Sequence, residues 1–331
     1  MIKITLFSTQ PYDRRFFDAA ADPSIEFTYQ EAALTPHSIA LAEGADGVCV
    51  FVNDVLDASV LEGLASLNVR AVFLRCAGYN NVDLATARRL GIQVARVPAY
   101  SPEAVAEHAV ALIMTLNRRT HRAFNRVREG NFNLDGLLGV TLHGRTAGII
   151  GTGKIGIATA RILKGFGCRL LAHDPMPSPE FETLGELVSL EQVIAQSDIL
   201  SLHCPLLPAT HHMINARTLA AMKPGAMLVN TSRGGLIDTR AVIEALKSRQ
   251  LGALAIDVYE QEAGLFFKDR SSDIIDDDIF GRLMTFPNVL VTGHQGFFTV
   301  EALTEITAVT LDNIRAFRDG RVSGNEVAVQ V

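Results

Sequence analysis

The stretch AGIIGTGKIGIATARIL, residues 147–163, constrains the fold of this chain more than any other. An apolar run, Ala147–Ile150, ends in Gly151, and glycines recur at 153 and 156 as an amphipathic helical pattern begins. A second apolar run, RLLAHD, closes on Asp174, about 20 residues past the turn, which is the strand–turn–helix–strand spacing of a dinucleotide site. Each residue has a physical reason to be there. Gly151 permits a tight turn, Gly153 lets backbone approach a pyrophosphate, and Gly156 lets the helix lie close to the strand with its N-terminus facing the phosphates. Asp174 can accept hydrogen bonds from both ribose hydroxyls and repels a 2′-phosphate, so NAD is expected rather than NADP.

Similar alternation runs along nearly the whole chain. Short β-branched runs at 2–7, 48–52, 71–74 and 94–97, then at 147–150, 170–173, 199–202, 227–230, 253–257 and 289–292, are separated by helical patterns. Buried, non-alternating strands between helices predict an α/β fold of doubly wound parallel sheets covered on both faces. VPAYSPEA (97–104) marks a boundary: Pro98 interrupts the pattern, Ser101 is suited to cap a helix, and Pro102 and Glu103 suit its first turn. From Ser101 one long helix of about 27 residues is expected. Its first half is apolar on too many sides to face water, so it must pack on another domain or a second subunit. The last helical pattern, 299–320, comes too late to build a new domain and is expected to return to the N-terminal unit.

With 48% hydrophobic and 20% charged residues and a net charge of −6, the chain has no general attraction for nucleic acid or an acidic membrane. The most apolar helical stretch, AVALIMTL, is far shorter than the roughly 20 residues of a span. Cys49, Cys76, Cys168 and Cys204 are scattered without C-x-x-C spacing, so free thiols in a reducing cytoplasm are expected. His211 and His212 are adjacent, which disfavours chelation; they are read as surface residues, and no metal is expected.

Ligands of an open parallel sheet sit beyond the carboxyl ends of its strands. There the later strands deliver His203-Cys204-Pro205, then Thr231-Ser232-Arg233 in a glycine-flanked turn, then Asp257 followed by Glu260 and Glu262, then His294. Arginine, carboxylate and histidine thus converge on the edge that binds the dinucleotide, and they suit reduction of a 2-keto acid. Arg233 can hold the carboxylate and polarise the keto group. Protonated His294 can donate to the developing alkoxide, and Glu262 on its other nitrogen would fix the tautomer.

LRCAGYNNVDL, VPAYSPEAVAEHAV, GIIGTGKIG, SLHCPL, VNTSRGGLID, DVYEQEA and TGHQGFFT together resemble the D-isomer-specific 2-hydroxyacid dehydrogenases, over essentially the full length. Within that family the resemblance is to the branch of bacterial fermentative D-lactate dehydrogenases. It implies a Rossmann NAD domain, 100–298, inserted in a flavodoxin-like substrate domain, 1–99 and 299–331. It gives Arg233, Glu262 and His294 the catalytic roles above, and substrate contacts to Phe51, Ala77, Gly78, Tyr100 and Phe297. For NAD it implies Gly151, Thr152, Gly153, Lys154, Ile155, Gly156, Asp174, Cys204, Pro205, Thr231, Ser232 and Asp257. It also implies a homodimer or homotetramer formed through the helix from Ser101, and reduction of pyruvate by NADH. Related formate dehydrogenases carry an amide where Glu262 stands, so an acid speaks for alcohol–ketone interconversion. Gly296 and Phe298 depart from close relatives, which often have alanine and a smaller apolar residue. Two further readings remain: the same mechanism on glyoxylate, hydroxypyruvate or a larger 2-keto acid, and an NADH-sensing binding protein on the same fold.

Overall fold

The apolar runs form two parallel sheets in a computed structural model that describes residues 1–327; residues 328–331 of the expected C-terminal segment lie outside the described residues. The chain divides into one unit of Met1–Ser101 with the segment from Phe298, and a second of Pro102–Phe297. Tyr100, Ser101 and Phe298 therefore group with the chain ends rather than with the middle segment.

The first unit runs β1 (Ile2–Leu6), α1 (Pro11–Ala19), β2 (Ile25–Tyr29), β3 (Gly47–Val50), α2 (Ala58–Ser66), β4 (Ala71–Leu74), α3 (Leu84–Leu90) and β5 (Gln93–Arg96). Its strand order, β2-β1-β3-β4-β5, is the flavodoxin-like one. The second unit runs α4 (Pro102–Arg118), α5 (Thr120–Arg128), β6 (Thr146–Ile150), α6 (Lys154–Gly165), β7 (Arg169–His173), β8 (Glu186–Leu187) and α7 (Leu190–Gln196). It continues with β9 (Ile199–Leu202), α8 (Ala216–Ala221), β10 (Ala226–Asn230), α9 (Thr239–Lys247), β11 (Leu251–Ile256), α10 (Asp278–Met284) and β12 (Val289–Val291). The order β12-β11-β10-β9-β6-β7-β8 reverses between β6 and β9, the switch point of a doubly wound nucleotide fold.

The final helix, α11 (Val300–Arg318), is capped by Thr299 and returns to the first unit. Leu311 and Ile314 join its core with Phe73 and Ala95, Asn313 Nδ2 donates to Arg96 O at 3.0 Å, and Arg315 pairs with Asp22 at 2.7 Å. Burying an aliphatic or phenyl side chain is worth roughly 1.5–3 kcal/mol, so this one helical face anchors the end of the chain firmly.

Three elements differ from expectation. β2 (IEFTY) is an edge strand in which buried or half-buried Ile25, Phe27 and Tyr29 alternate with exposed Glu26 and Thr28, so it forms no continuous apolar run. β8 has two residues, too few to leave a pattern. The long helix from Ser101 breaks at Arg119, which takes φ 50°, so α4 ends at Arg118 and α5 starts at Thr120. The returning segment causes the break: Arg119 donates to Gly136 O and Leu138 O, and Asn117 exchanges two hydrogen bonds with Val140. The apolar face of α4 is covered by its own unit, where Ala109, Leu112, Ile113 and Leu116 pack with Ile149, Ile157 and Leu163.

Candidate active site

At the switch point the glycines have the roles their spacing suggests. Gly151 has φ +98°, and a Cβ there would lie 2.6 Å from the His203 carbonyl, so the turn after β6 sits against the end of β9. A Cβ on Gly156 would lie 2.0 Å from Gly151 O, which would push α6 off the strand. Gly153 has open space around it, as an approaching ligand requires. Lys154 and Ile155 open α6, with Lys154 exposed.

Asp174, at the end of β7, accepts from Thr152 N (2.7 Å) and Thr152 Oγ1 (3.1 Å), and its other oxygen accepts from Met176 N. The acid therefore ties the phosphate turn to the neighbouring strand end. Beyond β9, the His203 ring bonds Ser201 Oγ at 2.9 Å, and desolvation lowers its pKa to about 4, so the ring is neutral at pH 7. Burial raises the Cys204 thiol to about 11, and Pro205 is exposed beside it. Ser232 Oγ donates to Cys204 O at 2.6 Å, joining the ends of β9 and β10. Thr231 Oγ1 is buried without a hydrogen-bond partner, a group that a polar ligand at this edge would satisfy. An open glycine, an orphaned hydroxyl and an acid at the next strand end fit a dinucleotide.

Two of the three expected catalytic side chains meet directly. His294 Nδ1 lies 2.8 Å from Glu262 Oε1, with about a fifth of each side chain exposed. Glu262 is itself held, because its second oxygen accepts from Tyr259 N and the buried Tyr259 hydroxyl donates to Asp277. Since Nδ1 faces the acid, Nε2 is the nitrogen left for another partner. His294 has φ 55°, a left-handed conformation uncommon for a residue with a Cβ.

Arg233 follows β10, and its Nη1 donates to Ser232 O. A Cβ on the adjacent Gly234 would come within 2.2–2.4 Å of the Tyr259 and Glu260 backbone, so only glycine lets the arginine turn lie against the segment leading to Glu262. Asp257 is almost wholly buried and accepts from Thr292, Gln295 N and Gly296 N. Phe297, the residue after Gly296, is buried in the same unit. Burial alone would raise the pKa of Asp257, but hydrogen bonds from His108, Thr292 and Gln295 outweigh it and hold the group below the usual carboxylate range.

Phe51, Ala77, Gly78 and Tyr100 lie in the first unit. There a buried network that sequence reasoning missed sets the loops. Asp54 accepts from Phe51 N (2.6 Å), Leu34 N and Ser8 Oγ, while Asn81 donates to Phe51 O and Asp54 O. Arg96 donates to Ala77 O at 2.7 Å. Arg75, just before the CAG turn, is buried on Asp13 with two contacts of 3.3 Å and donates to Ser8 O. The available signal was a charged residue at the end of an apolar strand run.

His211 and His212 gain a neighbour that local sequence could not reveal: Glu260 Oε1 lies 2.6 Å from His212 Nε2. This trio places ligand atoms within 4.8 Å of one another, and the two rings stack at 3.9 Å and 23°.

Comparison with known proteins agrees with this arrangement. The family model described as "D-isomer specific 2-hydroxyacid dehydrogenase, NAD binding domain" matches residues 110–296. A D-lactate dehydrogenase of Curvularia clavata is 58% identical, covering 98% of this chain and 94% of its own. The apo-structure of D-lactate dehydrogenase from Escherichia coli superposes with a TM-score of 0.90 at 48% identity, covering 99% of this chain and 100% of that one. The pyruvate reductase of Chlamydomonas reinhardtii gives a TM-score of 0.91 at 45% identity, covering 98% of each chain. The chain therefore belongs to the D-isomer-specific 2-hydroxyacid dehydrogenases and is an NAD-dependent enzyme of that family.

Proposed function

We propose that the protein is a D-lactate dehydrogenase, reducing pyruvate to D-lactate with NADH. The observation that carries the reading is the Glu262–His294 pair, an imidazole held by an acid with its second nitrogen unclaimed by it. Names of relatives support the substrate: a D-lactate dehydrogenase at 58% identity and a pyruvate reductase of nearly superposable fold.

In this reading NADH, when bound, supplies the hydride. The residues from Gly151 to Gly156 would hold its pyrophosphate on the α6 N-terminus, Asp174 would take the ribose hydroxyls, Cys204 and Pro205 would lie beside the adenosine, Thr231 and Ser232 would add further cofactor contacts, and Asp257 would meet the carboxamide. Arg233 binds the substrate carboxylate and polarises the keto group. The family resemblance assigns further substrate contacts to Phe51, Ala77, Gly78, Tyr100 and Phe297. His294 delivers the proton from Nε2 to the substrate oxygen, and Glu262 favours the imidazolium that must form in the reverse direction. Four free buried cysteines suit a reducing cytoplasm, and among the described residues no helix is long and apolar enough to cross a membrane.

The chain acts as a homodimer or homotetramer in this reading, through the region beginning at Ser101. Past α4, Phe124, Phe132, Leu134 and Leu138 each expose more than half their surface, a concentration of apolar side chains that a second subunit would cover.

Turnover of NADH with pyruvate, chiral assay of the product, and initial rates against bulky 2-keto acids test the assignment. Pyruvate must be preferred and the product must be D-lactate. A faster bulky acid transfers the site to another substrate, and NADH binding without turnover favours the sensor. Asp174→Ala is expected to weaken NADH about 10-fold or more and to narrow the preference over NADPH, as loss of hydrogen bonds to a charged group would. Equilibrium titration with both cofactors checks it, and an unchanged preference removes Asp174 from that role.

A further inference from the structure

We propose that His108, on α4, is a positioning residue for turnover: through Thr292 and Asp257 it fixes the backbone of the loop that carries His294. This rests on the reading of His294 as the proton donor. His108 Nε2 lies 3.2 Å from Asp257 Oδ1 and 3.1 Å from Thr292 Oγ1. The Thr292 hydroxyl donates its single hydrogen to Asp257 Oδ1, so toward His108 it can only accept. His108 Nε2 therefore carries a proton and donates, which sets the tautomer.

Asp257 passes this anchorage to the loop at three points. Its carboxylate receives Gln295 N (2.9 Å) and Gly296 N (2.8 Å), and its carbonyl receives His294 N at 2.7 Å. Those bonds hold His294, whose backbone is left-handed, and the two residues that follow it. The loop also lies tightly on both groups, since a Cβ on Gly296 would be 3.1 Å from Asp257 Oδ2 and 3.5 Å from His108 Cδ2. His108 stands on a helix whose next residues, Ala109, Val110, Leu112 and Ile113, are in the core. A rigid element thus sets the donor's backbone through a chain of hydrogen bonds. Asp257 is 1% exposed, so no water replaces a lost donor cheaply.

The test compares His108→Ala and His108→Gln in the full-length protein by steady-state kinetics and thermal midpoint. Loosening a reacting group by a fraction of an ångström slows chemistry more than binding, so His108→Ala is expected to lose about 10- to 100-fold in kcat. Pyruvate KM should stay within about threefold of the parent, because the arginine turn is not touched. Glutamine carries a side-chain N–H of similar reach and should recover most of the kcat. The proposal is overturned if His108→Ala keeps kcat within about threefold, or if both variants lose kcat and thermal midpoint together, the mark of damaged helix packing. His294→Ala in the same series separates the two levels. If that variant turns over like the parent, the proton-donor reading fails. If it is slow and His108→Ala is not, the positioning role alone fails.

Discussion

His294→Ala should lower kcat for pyruvate reduction by about 10²- to 10⁴-fold, the usual contribution of a positioned general acid. Glu262 faces Nδ1 at 2.8 Å and is itself held by Tyr259 N, so neither partner has to be organised during the reaction. NADH affinity should change little, since the phosphate turn lies at the far side of the sheet switch point from β12. Glu262→Gln should give a smaller loss, because an amide still bonds Nδ1 but no longer stabilises the cationic ring. Stopped-flow measurement of the hydride step checks both variants. A His294→Ala enzyme with parental kcat would dismiss the assignment.

Arg75→Leu is expected to destabilise the first unit by roughly 3–5 kcal/mol, the cost of leaving one partner of a buried ion pair alone. Asp13 is 5% exposed and would keep a charge with no counter-ion; the desolvated Asp54, whose pKa is already raised by burial, would lose the same attraction. Arg75 also stacks its guanidinium 5.0 Å from the Phe51 ring and donates to Ser8 O, so β1, α1 and the loop after β3 would all loosen. Denaturant unfolding of the variant measures the loss. Asp13→Asn added to Arg75→Leu should return part of it, since removing both charges is far less costly than removing one. A single variant within about 1 kcal/mol of the parent would show that the pair contributes little.

Much of the architecture was legible because it is written in short-range patterns. Apolar runs located ten strands, and the glycine spacing identified the switch point. β2 and β8 escaped, the first because one face of an edge strand meets solvent, the second because two residues carry no period. The break at Arg119 escaped because its cause, the segment from Gly136 to Val140, is about 20 residues downstream.

The candidate site divides the same way. Glu262 and His294 could be paired from sequence because both follow strands of one parallel sheet, whose carboxyl ends share an edge. His108 offered no such handle: within α4 it reads as one more position in an apolar helix, and its partner Asp257 is 149 residues away. Arg75 and Asp13, 62 residues apart, are equally silent locally. Sequence by itself determined which segments become strands, which turn accepts a phosphate and which residue types reach the reactive edge, because those depend on spacing along one backbone. Only the tertiary structure decided which side chains hold those residues still, because a buried hydrogen-bond partner is chosen by where packing leaves an unsatisfied group, and packing joins segments with no order between them in the chain.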